Sequence, residues 1–229
     1  MNDTFKKNFW INIKFLNPFF IKFLKSNKIK FFNYFKKKVY FDEFSEVLDI
    51  GTVNLEHKHE NVFVNNYDFK SKLTCLSNQE LTIIKKKFPE INTIFGDARN
   101  MNIKDDSFDV VHSNATLEHV GDFNNQIRFV KECIRVSKKF VFIQTPNKNY
   151  PLEFHTKIPF IHYLPCKIYK KILRAIGLDF FADVNNLNLL TKRKIIEIMK
   201  ILNVRKFEII EHRFLGLVSN LILIVNLKE

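Results

Sequence analysis

Glycine is scarce in this chain, with 5 in 229 residues. Few places remain for the tight backbone approach that a phosphate-binding loop needs. Cysteine is scarce too. Cys75, Cys133 and Cys166 form no CxxC and sit near no His/Cys cluster. An odd, scattered count argues against a disulfide framework and a structural zinc site, and points to reduced thiols in a cytoplasmic protein. No run reaches eighteen apolar residues. The Phe-rich N-terminal region is broken by lysine every few positions, so it is expected neither to span a bilayer nor to act as a signal peptide.

Hydrophobic residues make up 46% of the chain and charged ones 27%, enough for a packed core in one decorated domain. The net charge of +13 is uneven. Residues 1–40 hold ten lysines against Asp3, which gives +9 and leaves +4 for the other 189 residues. The basic character therefore belongs to an N-terminal arm, residues 1–43. Phe9, Ile13, Leu16, Phe20 and Phe23 recur at steps of three and four, the spacing of one helix face. Lysines opposite such a face suit an anionic membrane surface, or they are simply a solvated face.

From residue 44 to 229 the texture changes. Apolar runs of strand length alternate with helical patterns, which predicts a parallel sheet built from βαβ units. Glu46 to Ile50, Leu73 to Ser77, Asn92 to Phe95, Phe108 to His112 and Lys139 to Gln144 read as five strands. Helices are expected over Glu80–Phe88, 123–136 behind Asp122, and 192–203 behind Thr191. Two last strands, Glu208 to His212 and Leu221 to Leu227, have no helix between them and predict a closing antiparallel hairpin. Residues 147–190 break the rhythm with three prolines and many aromatics, and read as an insertion or lid over the acceptor.

Ligands of open α/β sheets bind beyond the carboxyl ends of the strands, where strand order reverses. Four strand ends carry small or polar residues: Asp49-Ile50-Gly51-Thr52, Ser77-Asn78, Gly96-Asp97-Ala98 and Ser113-Asn114. Steps from Gly51 to Asn78, Ser77 to Asp97 and Asp97 to Asn114 are 27, 20 and 17 residues, about one βα unit each.

The succession VLDIG, GDARNM, DDSFDVVHSNATLEHV and VFIQTPN resembles the class I S-adenosylmethionine-dependent methyltransferases of the type 11 group over residues 44–150. The resemblance implies an α/β, seven-stranded, doubly wound Rossmann-like sheet and S-adenosylmethionine as cofactor. It implies that Asp49, Gly51 and Thr52 meet the methionine end, that Ser77 and Asn78 stand where a ribose-binding acid is usual, that Asp97 and Ala98 meet adenine, and that Asn114 lies near the sulfonium. Two positions depart from the pattern. Val53 and Asn54 replace the second glycine of the loop, and the acid at the second strand end is absent, with Glu80 one helical turn on. These departures leave a rival reading, a binding protein that kept the fold and lost the donor site.

His119, in LEHV, and His155, in the insertion, are the candidate catalytic residues. Each could equally be structural: His119 by packing near the cofactor, His155, like His162, by bracing the lid. Related quinone-biosynthesis O-methyltransferases hold a metal with an extra carboxylate three residues before such a glutamate. Ala115 stands there, so no metal is expected. The acceptor is expected to be a small molecule or a glycan- or lipid-linked compound. Nucleic acid is disfavoured, because TLEHV stands where base-modifying relatives carry an Asn-Pro-Pro-Tyr or Asp-Pro-Pro-Tyr motif.

Overall fold

The computed structural model describes residues 17–55 and 61–228, with backbone alone over 17–27. Its centre is a seven-stranded sheet: β1 (Val47–Ile50), β2 (Leu73–Ser77), β3 (Asn92–Phe95), β4 (Phe108–Asn114), β5 (Ser137–Pro146), β6 (Phe207–Phe214) and β7 (Leu217–Asn226). The order is β3-β2-β1-β4-β5-β7-β6. The first five strands pair in parallel and β7 runs antiparallel to both neighbours. Strand order therefore reverses between β1 and β4, which opens a crevice beyond their carboxyl ends.

Alternation along the strands divides the core into two layers. Val47, Val110, Phe140 and Phe142 face one side and pack with Phe31, Phe35, Phe63 and Tyr67. Leu48, Ile50, Val111, Val141 and Ile143 face the other. There they meet Phe129, Val130 and Cys133 of α4 (Phe123–Arg135) and Ile195, Ile198 and Met199 of α7 (Lys192–Ile201). Both helices start as expected. The Asp122 carboxylate accepts the Asn125 amide, and the Thr191 hydroxyl accepts that of Lys194. Two short helices, α2 (Val62–Asn66) and α3 (Thr82–Lys87), and the longer α1 (Asn17–Lys38) complete this domain.

The structure draws the end of the expected arm into the domain. Phe31, Phe35 and Val39, four residues apart, are buried against the sheet, so a boundary at residue 44 falls inside one core cluster. Phe9, Ile13 and Leu16 lie outside the described residues. Among the described residues no helix is long and apolar enough to cross a membrane.

β5 runs on through Thr145 and Pro146 instead of stopping before them. The antiparallel partner β7 continues the ladder to Pro146 opposite Asn220. A proline at the last position forfeits only a terminal donor.

The insertion leaves and rejoins the sheet at one point, where Asn147 bridges Leu190 and the Lys148 amide donates to the Leu190 carbonyl. It holds α5 (Cys166–Ala175) and α6 (Asp179–Ala182) around a small core of Leu173, Phe181, Ala182 and Leu187.

Candidate functional site

The expected donor residues gather at the reversal point. Asp49 is buried, accepting the Thr52 hydroxyl at 2.6 Å on one oxygen and facing His112 Nδ1 at 2.6 Å with the other. His112 lies flat on Phe63, ring centres 3.8 Å apart, with Phe35 edge-on. The aromatic layer behind the sheet thus orients the group that holds Asp49.

Gly51 has φ +94°, a conformation that disfavours any side chain. The space beside its Cα is taken: a Cβ there would lie 2.0 Å from the Thr116 hydroxyl. Thr116 gets there because Ala115 adopts a left-handed φ of 54° directly after β4. That turn, costly for a residue with a Cβ, swings Thr116 back onto β1, where its hydroxyl donates to the Ile50 carbonyl at 3.2 Å. Asn61 clamps the loop that follows. It accepts the Val53 amide and donates to the Val53 and Leu55 carbonyls. These contacts were not legible in the sequence, where Asn61 carried no signal.

Asp49, Gly51, Thr52, His112 and Asn114 line a pocket of about 30 Å³. The buried side-chain oxygen of Asn114 is satisfied by no donor among the described residues. An acceptor left in this state is what a ligand's ammonium or hydroxyl donor would complete, so the strand-end residues fit the methionine end of the expected cofactor.

Ser77 is buried with its hydroxyl accepting the Gln79 amide, and Asn78 is exposed. Beside them lies a larger concavity of about 210 Å³, lined by Gln79, Glu80, Thr82, Lys85 and Phe95 among others. Glu80 is thus the carboxylate next to the ends of β2 and β3. Asp97 is half-exposed and gripped by Arg99, whose guanidinium holds its carboxyl below the usual range. Ala98 packs on the core.

A second group of residues stands beyond β4 and β5. Glu118 is fully buried. One oxygen accepts the Thr145 hydroxyl at 2.9 Å and the other has no hydrogen-bond partner among the described residues. The unpartnered oxygen lies 3.9 Å from His119 Nε2 and 3.8 Å from His155 Nε2. The two Nε2 atoms are 3.0 Å apart. Glu153 is buried and meets His155 Nδ1 at 2.7 Å. Burial alone would raise the Glu153 carboxyl, yet the His155 charge and donors from His155 and Thr156 bring it down to about 2. Burial works against charge on His155, but the Glu153 carboxylate outweighs it and raises the imidazole. Burial lowers His119.

The insertion is stitched to this turn. The Asn188 amide donates to the Glu118 carbonyl, Asn188 Nδ2 to the Gly121 carbonyl, Gln126 Nε2 to the Asn188 carbonyl, and His119 Nδ1 to the Asn186 carbonyl. His155 and His119 are therefore brought together across 36 residues of sequence. His162 is not: its Nε2 donates to the Tyr150 carbonyl inside the insertion, so it braces the lid.

Residues 60–142 match the family model described as a methyltransferase domain. The whole fold is similar to solved structures of S-adenosylmethionine-dependent methyltransferases. One from Thermotoga maritima, a possible histamine N-methyltransferase, shares 15% identity with a TM-score of 0.58, over 94% of this chain and 97% of that one. One from Archaeoglobus fulgidus shares 14% with a TM-score of 0.57, over 98% and 100%. One from Methanosarcina mazei shares 16% with a TM-score of 0.52, over 82% and 94%. No curated protein matches closely enough to be a relative.

Proposed function

We propose that this chain transfers a methyl group to a small-molecule or glycan- or lipid-linked acceptor, because residues 60–142 match the methyltransferase-domain model and the fold is similar to that of S-adenosylmethionine-dependent methyltransferases. The observation that carries this reading is the convergence of Asp49, Gly51, Thr52 and the unsatisfied Asn114 oxygen at the point where strand order reverses.

The sulfonium donor supplies an already activated methyl group, so the protein must hold, align and exclude water. Asp49 and Asn114 would take the ammonium end. Glu80 would take the ribose hydroxyls in place of the acid missing from the end of β2. Asp97, kept ionised by Arg99, would accept from the adenine amino group. The insertion closes over the ends of β4 and β5, where Glu118, His119 and His155 converge and an acceptor would stand.

A rival reading has its own observation: the Thr116 hydroxyl occupies the space beside Gly51 and Val53 replaces the second glycine, as a closed, non-catalytic site would show. Calorimetry with S-adenosylmethionine and its demethylated product separates the two. The enzyme reading expects micromolar binding of both, weakened about five-fold by Asp97→Ala, on the order of 1 kcal/mol for one half-exposed polar contact. No heat from either compound would favour the binding protein. Unchanged affinity in a folded Asp97→Ala variant would remove Asp97 from the adenine site.

A lipid-linked acceptor would also give the lysine-rich N-terminal segment a task, by holding the enzyme at an anionic surface. Cosedimentation with vesicles containing phosphatidylserine should then occur at low salt and fade as salt rises. Indifference to such vesicles at low salt would rule this out.

A further inference from the structure

We propose that Glu118, His119 and His155 form a binding site for a divalent transition-metal ion of the zinc type, with His155 supplying from the insertion the ligand that Ala115 does not. The three ligand atoms lie within 4.8 Å of one another. Their polarity is the argument. A backbone carbonyl cannot donate, so His119 must donate from Nδ1 to Asn186, which leaves Nε2 with a bare lone pair when the ring is neutral. His155 Nδ1 lies 2.7 Å from the Glu153 carboxylate and donates to it, with the same result when that ring is neutral. The third atom is the fully buried oxygen of Glu118 that has no hydrogen-bond partner among the described residues. With both rings neutral, three acceptors face each other and leave a place for a cation between them.

The distances suit one. A tetrahedral ion with bonds of about 2.0–2.1 Å holds its ligand atoms roughly 3.3–3.4 Å apart. The separations of 3.0, 3.8 and 3.9 Å bracket that value. The surroundings are those of a built site. Glu153 and the Asn186 carbonyl fix the orientation and tautomer of the two imidazoles, and the Thr145 hydroxyl fixes the Glu118 carboxylate. Two imidazoles and one carboxylate favour zinc and its transition-metal neighbours over magnesium. His119 is 32% exposed and His155 20%, so the ion would keep an approach from solvent and an open position for an oxygen ligand.

This arrangement also bears on the two histidines as bases. A general base offers its free nitrogen to the acceptor, whereas these two offer theirs to each other. If the chain is a methyltransferase, and only on that reading, the open position suits a hydroxyl-bearing acceptor better than an amine.

The test needs neither donor nor acceptor, so its outcome is independent of the methyl-transfer reading. Full-length protein stripped with chelator is titrated with zinc, in competition with a chromophoric chelator. One zinc per chain is expected, bound far more tightly than magnesium. His155→Gln and His119→Gln should each weaken it by at least about 100-fold, and Glu153→Gln by about 10- to 100-fold. The double variant His57→Gln/His59→Gln, which removes the sequence His57-Lys58-His59, should leave it unchanged. Cobalt(II) in the unaltered protein should give the visible absorption of a four- or five-coordinate nitrogen and oxygen site without a thiolate band, a readout that does not depend on any variant folding. Absence of stoichiometric zinc would overturn the proposal. Zinc retained at full affinity in folded His155→Gln, or lost with His57 and His59, would place the ion elsewhere and overturn it equally.

Discussion

Phe35→Ala should destabilise the protein by about 3–5 kcal/mol, the usual range for deleting a fully buried phenylalanine ring. At this chain length that corresponds to a fall in melting temperature of roughly 10 °C. Phe35 has no solvent exposure and sits at the centre of an aromatic lattice. Phe63, His112 and Phe142 meet it edge-on at 4.9, 5.5 and 5.5 Å, and Phe41 lies 5.1 Å away. The cavity would open between α1 and the sheet, where Phe31 and Phe35 of the helix and Val39 just beyond it are buried. It would also loosen His112, which holds Asp49, so weaker donor binding should accompany the lower melting point. Urea unfolding and calorimetry on the same preparation check both. If Phe35→Ala melts like the unaltered protein, α1 is an appendage rather than part of the core.

Gly51→Ala should lower donor affinity by more than about ten-fold and cost stability as well. Two separate obstacles meet at this position. The φ of +94° is strained for any residue with a Cβ, at about 1–3 kcal/mol. The added methyl would also meet the Thr116 hydroxyl at 2.0 Å, so Thr116 must leave the Ile50 carbonyl or β1 must shift. The two parts can be separated. Thr116→Ala removes the clashing oxygen and leaves the backbone strain, so the double variant should recover part of the stability and not all of it. Thermal melts of the single and double variants give that comparison. A Gly51→Ala protein with unchanged melting and unchanged donor affinity would show that neither obstacle operates.

Much of the sheet was legible because buried parallel strands leave short apolar runs, and Val47–Ile50 and Leu73–Ser77 are such runs, the first followed by Gly51 and the second closed by Ser77. The extra length of β5 and β7 was not, since it comes from their mutual pairing and not from local composition. The same division holds at the site. Asp49, Gly51 and Asn114 announced themselves by regular spacing. Thr116 against Gly51, Asn61 around Val53, and His119 opposite His155 depend on backbone turns and on contacts between segments far apart in sequence. The arm was read by its lysines, of which Lys30, Lys36, Lys37 and Lys38 are exposed. The burial of Phe31, Phe35 and Val39 depends on a sheet that the helix pattern alone does not reveal.

The stitching of residues 186–188 to the turn after β4 sets how often the insertion could lift. Four hydrogen bonds join the two segments, from Asn188, Gln126 and His119. At a net value of about 1 kcal/mol each, releasing them together costs roughly 4 kcal/mol. The lifted form would then be on the order of one molecule in a thousand at equilibrium. A compound that could enter only through that form would see its apparent affinity fall by the same factor. The partly exposed face of His119 offers a route without that toll, so traffic through the site is set by the width of a side entrance and not by the motion of a flap.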